Sequence, residues 1–329
     1  MTRSIQKKLK VMIVCLFLLL TCTACSAPRA RDGKTKVDQI ISSETVTVKK
    51  SDVNVTEIKD EKLAKKYAKL DDDAEITIEP TTFKQAIGNG WFDGLIVWPL
   101  ATLINKVAAK TDAGIGIIVA TLLLQLVLFA LTGKSQMSSQ RMQEIQPELQ
   151  AIQNKYKGRT DQQSQMKMYS ETQELYKKYD IHPFGSILVM FLQLPIMMGM
   201  YYATMRAASV IYGTFMGIRL SLTPMQGIRS LNVPIIIIYA LMIICQFVTT
   251  QLPKWLKKYQ DKKDNVRVKK YKQDENQTQN TMNMTMYMMT IMFAFIYVGW
   301  PTAMSFYWVV TSIIRIVQNI VLHKAMHKN

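Results

Sequence analysis

Blocks of apolar sequence decide what this chain can become. Residues 115–131 are apolar but for Thr121 and Gln125, residues 184–208 are broken chiefly by Gln193 and a terminal Arg206, and residues 233–252 chiefly by Gln246. Each is close to the roughly 20 residues that a helix rising about 1.5 Å per residue needs to cross a hydrocarbon layer of roughly 30 Å. The last block, residues 284–322, is interrupted by Gly299-Trp300-Pro301 and so divides into two spans joined by a tight turn. The expectation is an all-α polytopic membrane protein with five transmembrane helices, at residues 111–133, 184–208, 233–252, 284–300 and 301–322.

Composition supports that reading and closes off others. Hydrophobic residues make up 49 % of the 329 residues, yet 41 Lys and Arg stand against 24 Asp and Glu, for a formal net charge of +17. Apolar and charged residues are therefore segregated along the chain. Cys15, Cys22, Cys25 and Cys245 lie in or beside apolar runs, without the spacing of a zinc site, so neither a disulfide scaffold nor a structural metal is expected, and no cofactor.

The charges orient the spans. Residues 134–182 hold eight Lys/Arg and residues 254–282 hold nine, whereas 209–232 contain only Arg219 and Arg229. Positive loops remain in the cytoplasm. An extracellular amino terminus, an extracellular loop at 209–232, a basic cytoplasmic loop at 253–283 and a cytoplasmic tail at 323–329 follow. The basic excess is then a topology signal and an attraction to anionic phospholipid, not a nucleic-acid footprint.

Ahead of the spans, Arg3, Lys7, Lys8 and Lys10 precede a short apolar core and the small-residue tract Thr21-Cys22-Thr23-Ala24-Cys25. A core of about ten residues is too short to span a bilayer and reads as a secretory signal peptide, residues 1–24. Cysteine after a small residue at the end of such a core resembles a bacterial lipobox. Cys25, which follows Ala24, is the expected lipidation site, with Cys22 the other candidate. Residues 25–90 are polar and are expected to be an extracellular tether, with one short charged helix between Asp60 and Leu70. Residues 91–110, carrying Trp91, Phe92, Leu95, Trp98, Leu103 and Val107 among polar residues, read as an amphipathic helix in the outer headgroup layer.

In residues 134–183, Met142, Ile145, Leu149, Ile152 and Tyr156 recur at three- and four-residue steps; Gly158 breaks the pattern and Met168, Thr172, Leu175 and Tyr179 resume it. This predicts a cytoplasmic helical hairpin with one apolar seam on each arm, the second arm capped by Thr160.

The apolar blocks at 115–131, 184–208, 233–252 and 284–322 contain no Asp, Glu or His and one deep cation, Arg315, about seven residues or roughly 10 Å from the cytoplasmic end of the last span. A charge at that depth costs roughly 2.5 to 3.5 kcal/mol even on lenient insertion scales, so it should face protein or water. A water-filled groove open to the cytoplasm resolves the conflict, lined also by Gln125, Gln193, Gln246 and Ser305. Snorkelling of the arginine toward the inner headgroups is the plainer account. The spans lack the carboxylates of ion-coupled carriers, and no hydrolytic or nucleotide-binding motif appears, so an enzyme is not expected.

Six short stretches carry a resemblance: Gln146-Pro147-Glu148, Tyr176-Lys177-Lys178-Tyr179, His182-Pro183-Phe184-Gly185, Gln193-Leu194-Pro195-Ile196, Pro301-Thr302-Ala303 and Phe306-Tyr307-Trp308. In this order, from about Trp91 to Leu322, the chain resembles the YidC-type membrane protein insertases, in the lipoprotein-signal form of Gram-positive bacteria. The resemblance implies a non-enzymatic insertase and chaperone that moves hydrophobic segments of nascent membrane proteins into the bilayer, with or without the Sec translocon. A ribosome or targeting factor would be a further partner. In that family a single groove arginine sits in the first of these spans; here that position is Gln125, and Arg315 is expected to supply the charge from the last span. The family's slide for apolar segments would fall on Met197, Met200, Met292 and Phe295. The alternative, from a different class, is an anion transporter or channel built on Arg315.

Overall fold

The computed structural model describes residues 28–58, 61–181, 183–263, 284, 287–288 and 290–326. The signal peptide, Cys25, residues 264–283 of the basic loop and the end of the tail lie outside the described residues. The chain is mostly helical and divides into two compact units, one within Met1–Ala120 and Leu194–Ser221, the other within Thr121–Gln193 and Leu222–Asn329.

The first unit corrects the expected tether. Strands β1 (Val46–Lys49) and β2 (Glu75–Ile78) pair antiparallel, Val46 opposite Ile78 and Val48 opposite Ile76, which puts alternate apolar residues on one face. Helix α1 (Glu61–Ala68), the short charged helix expected there, turns Leu63, Ala64 and Tyr67 to the same side and leaves Lys62, Lys65 and Lys66 exposed. Val37, Ile40, Val53, Val55 and Ile58 complete a small core. Its remaining wall comes from far along the chain, in Ala208, Ile211 and Tyr212, which explains why local composition gave no sign of it.

Helix α2 (Phe83–Asn89) opens with a capping box between Thr82 and Gln85. A π turn, Asp93–Val97, leads into α3 (Trp98–Ala108), with Pro99 in its first turn where no intrahelical N–H is needed. Val97, Ala101, Ile104 and Asn105 face inward at helical spacing. The amino-terminal segment is stitched to these helices and to α8 (Ala208–Tyr212) by buried polar contacts. The Arg206 guanidinium pairs with Asp93 at 2.8 Å and donates from Nε to the Gln39 carbonyl at 2.8 Å. Asn105 donates to the Ile41 carbonyl at 2.7 Å and accepts from the Ser209 hydroxyl at 2.7 Å.

Among the described residues, three helices are long and apolar enough to cross a membrane: α4 (Ala113–Glu144), α10 (Val233–Lys263) and α12 (Thr302–Met326). The second expected span falls on α7 (Pro183–Arg206), a helix of 24 residues. Helix α4 starts in the first unit and continues into the second. Both α4 and α10 run well past their apolar blocks, because residues 134–144 and 254–263 are mostly good helix formers, and α10 continues through Pro253. At its start the expected basic loop is therefore helix.

In the second unit, α5 (Gln146–Lys155) and α6 (Gln162–Lys178) pack together around Ile145, Leu175 and Ile181, with Met142, Leu149, Ile152, Tyr176 and Tyr179 partly buried against them. Gly158 takes the left-handed conformation, φ 81°, at the turn between them. The cap of α6 is Asp161, whose carboxylate accepts from the Ser164 N–H, and not Thr160; it lies directly before the first helical residue.

Helix α9 (Pro224–Arg229) carries a second capping box, Thr223 with Gln226. The break expected at Gly299-Trp300-Pro301 is present: a helix, α11, runs through 290–297 and α12 begins at Thr302. The Thr302 N–H and hydroxyl both donate to the Leu222 carbonyl at 2.7 Å, and α12 then packs closely along α10.

Candidate functional site

Helix α12 organises the site. Tyr307, Thr311, Arg315, Asn319 and His323 recur every four residues, a polar line that winds round the mostly apolar helix by about 40° per step. Ser305, Trp308 and Ser312 flank it. Tyr307 and Thr311 are fully buried, Ser305 and Ser312 nearly so.

Arg315 is not unpaired, as the sequence suggested. Its Nη2 donates to Gln193 Oε1 on α7 at 2.7 Å. The partner is a neutral amide, and among the described residues no carboxylate comes within ion-pair distance of the guanidinium. The arginine therefore keeps its full charge and most of its hydrogen-bonding capacity, since a guanidinium carries five N–H donors. Gln193 precedes Pro195 in the same helix, where the missing N–H frees the Phe191 carbonyl from its helical bond and loosens the backbone locally.

One turn before Arg315, the Ser312 hydroxyl donates to Gln246 Oε1 of α10 at 3.5 Å, and the Thr249 hydroxyl reaches the Ser312 carbonyl at 3.5 Å. The polar line thus runs from Gln193 through Arg315 and Ser312 to Gln246. The Tyr307 hydroxyl is in hydrogen-bond contact with Thr311 and Gln193, which ties the buried part of α12 to the arginine's partner. Gln125 Nε2 on α4 and, further along α12, Ser305 Oγ and Trp308 Nε1 are buried without a hydrogen-bond partner among the described residues. Each such group, left dry, costs about 1–3 kcal/mol.

Aromatic rings continue the site along α11 and α12. Tyr297 stacks on Phe293 and on Trp308, with centroids 5.7 and 5.4 Å apart, and meets Trp300 at 5.0 Å.

Of the residues singled out from sequence, Arg315 and Gln193 are in direct contact and Gln246 joins them through Ser312. Gln125 is buried on α4 but makes no bond to Arg315, and Ser305 is buried further along α12. Met292 and Phe295 are exposed on α11, and Met197 is half-buried on α7. Met200, on the same helix, is fully buried. Sequence reasoning missed Tyr307, Thr311 and Ser312; marking every polar residue on a helical projection of 302–326 would have found them.

The family described as 60Kd inner membrane protein matches residues 104–329. The membrane protein insertase YidC 1 of Streptococcus pyogenes serotype M6 is 31 % identical over 235 residues, 71 % of this chain and 74 % of the relative. The membrane protein insertase YidC of Oceanobacillus iheyensis is 31 % identical over 72 % of this chain and 86 % of its own length. The membrane protein insertase MisCA of Bacillus subtilis is 29 % identical over 70 % of this chain and 79 % of the relative.

Proposed function

Because the chain belongs to the YidC family of membrane protein insertases, a family of multi-pass membrane proteins that are not enzymes, we propose that it inserts nascent membrane proteins into the cell membrane through a hydrated groove whose positive charge is Arg315. The carrying observation is the Arg315–Gln193 contact: a cation on an apolar helix, held by a neutral amide with no carboxylate within ion-pair distance among the described residues.

In this reading five spans cross the bilayer, α5 and α6 form a cytoplasmic hairpin, the helix at 91–108 lies in the outer headgroup layer, and Cys25 carries the lipid. The groove opens toward the cytoplasm. Water within it keeps the polar part of a client hydrated on its way across, and Arg315 attracts an acidic tail without holding it in a permanent ion pair. The client's apolar segment then leaves along exposed helix faces, where Met292, Phe295 and Met197 provide adaptable contacts. Roughly 25 cal/mol per Å² of apolar surface removed from water drives that transfer, so no nucleotide is required. The family's Arg is replaced by Gln125 in the first span, and the charge stands on the last span instead. The Sec translocon, and a ribosome or targeting factor at the hairpin, are proposed as partners.

Reconstitution decides between this reading and anion transport. Proteoliposomes containing the purified chain are expected to insert a single-span, phage-coat-type substrate and to take up no labelled anion beyond empty vesicles. Anion uptake without insertion would overturn the proposal.

A further inference from the structure

Two contacts join α4 to α12 on the far side of Arg315 from Thr311. The Gln140 side chain donates from Nε2 to the Asn319 carbonyl at 3.2 Å, and one turn further along both helices Glu144 Oε1 lies 3.5 Å from His323 Nδ1. Glu144 is the last residue of α4, and its backbone carbonyl accepts from the Lys257 ammonium of α10. Three helix ends thus meet at one residue. Gln140 and His323 are buried and Leu322 beside them is buried too.

Beyond this layer lies a cavity of about 520 Å³, lined among others by Arg141, Glu148, Lys178, Asp180, Lys257 and Asp261. Its charges are largely matched: Arg141 pairs with Asp180 at 3.6 Å and Lys178 with Glu148 at 3.7 Å. Glu144 and His323 also line it, so they form its wall toward Arg315. Along α12 the order is Arg315, Asn319, His323, a run of about 12 Å. Any polar segment passing from the cavity to Arg315 on this side meets the α4–α12 contacts first.

The layer is poorly satisfied. Among the described residues, Gln140 Oε1 and Glu144 Oε1 are buried without a hydrogen-bond partner, the latter 3.5 Å from His323 Nδ1. A half-satisfied polar layer holds weakly and gives way when better partners arrive.

We propose that Gln140 and Glu144 of α4, with Asn319 and His323 of α12, form a polar latch between the 520 Å³ cavity and Arg315, closed at rest and parted by an entering client. The inference rests on the insertase reading and adds its regulation: the groove charge is reached only when the two helix ends separate.

The test uses the full chain with Cys245→Ser, reconstituted in proteoliposomes. In the pair Gln140→Cys and Asn319→Cys, a short thiol cross-linker is expected to lower insertion of a single-span, acidic-tailed substrate about tenfold, roughly the effect of 1.4 kcal/mol, and a reducible version of the linker should restore it on reduction. Separately, in a chain carrying Thr311→Cys, Glu144→Gln is expected to raise the rate of modification by a small water-soluble maleimide about fivefold, roughly the effect of 1 kcal/mol. Insertion that proceeds unchanged while the linker is in place, or a maleimide rate indifferent to Glu144→Gln, overturns the latch. The maleimide rate reads the latch independently of insertion, so a chain that inserts nothing before linking counts against the insertase reading alone.

Discussion

Removing the Arg206 side chain is the sharpest test of how the first unit is held together. Its guanidinium makes two contacts at 2.8 Å, one to the Asp93 carboxylate and one to the Gln39 carbonyl, with its side chain only 4 % exposed and that of Asp93 14 %. In Arg206→Met the stem is retained in shape, but the Asp93 carboxylate keeps its burial and loses its counter-ion. Breaking one side of a buried pair costs about 3–5 kcal/mol, most of it from the charge left behind. At about 2–4 °C per kcal/mol for a unit of this size, the melting temperature should fall by roughly 6–20 °C. The assay is thermal unfolding of the detergent-solubilised full chain, followed by tryptophan fluorescence, which reports on Trp98 through its 2.8 Å bond to the Thr81 carbonyl. The double variant Arg206→Met/Asp93→Leu should recover much of the loss, because neither charge is then buried. A single variant within about 1 kcal/mol of wild type, or a double variant no better than the single, would refute the reasoning.

Ile76→Ala, at a site 2 % exposed in the small β-sheet core, should cost about 2–5 kcal/mol and open residues 28–80 to trypsin in the otherwise native chain; a solvated tether would be cut equally in both proteins. Where α5 meets α6, Lys155 and Tyr156 both bond to Glu171, at 2.5 and 2.7 Å, and hold its carboxyl below the ordinary value, the lysine foremost. A depressed carboxyl stabilises above its unfolded value and stops doing so as pH falls through the folded one, so hydrogen exchange at 150–175 should quicken below about pH 4 in wild type. Glu171→Gln should show that faster exchange already at pH 7, and an exchange rate unaffected by the substitution would contradict the assignment.

How much of this could be read from sequence varied with the kind of signal. Residues 115–131 and 233–252 announce helices that cross a membrane because nearly every position is apolar, and Gly299-Trp300-Pro301 announces the break before Thr302. Helix ends are a different matter: an apolar block stops where hydrocarbon would stop, whereas α4 and α10 continue to Glu144 and Lys263. The core of the first unit was illegible. Val46, Val48, Ile76 and Ile78 are single apolar residues in polar surroundings, and their packing partners Ala208, Ile211 and Tyr212 follow only after α7. At the site, the cost of a buried charge marked Arg315, and the rarity of polar residues in a span marked Gln193 and Gln246. That Gln193 would be the arginine's partner, and that Met200 would turn inward, depend on helix rotations that no local pattern encodes.

The central claim is that the groove charge has moved from the first span to the last. Its most direct test is insertion of a single-span substrate with an acidic tail into proteoliposomes by wild type, Arg315→Ala and Arg315→Ala/Gln125→Arg. The expected result is a loss of about tenfold or more in Arg315→Ala, roughly the effect of losing 1.4 kcal/mol of attraction to the acidic tail, with substantial recovery in the double variant and little change for a substrate whose tail is neutral. Equal insertion by wild type and Arg315→Ala, together with no gain from Gln125→Arg, would contradict it.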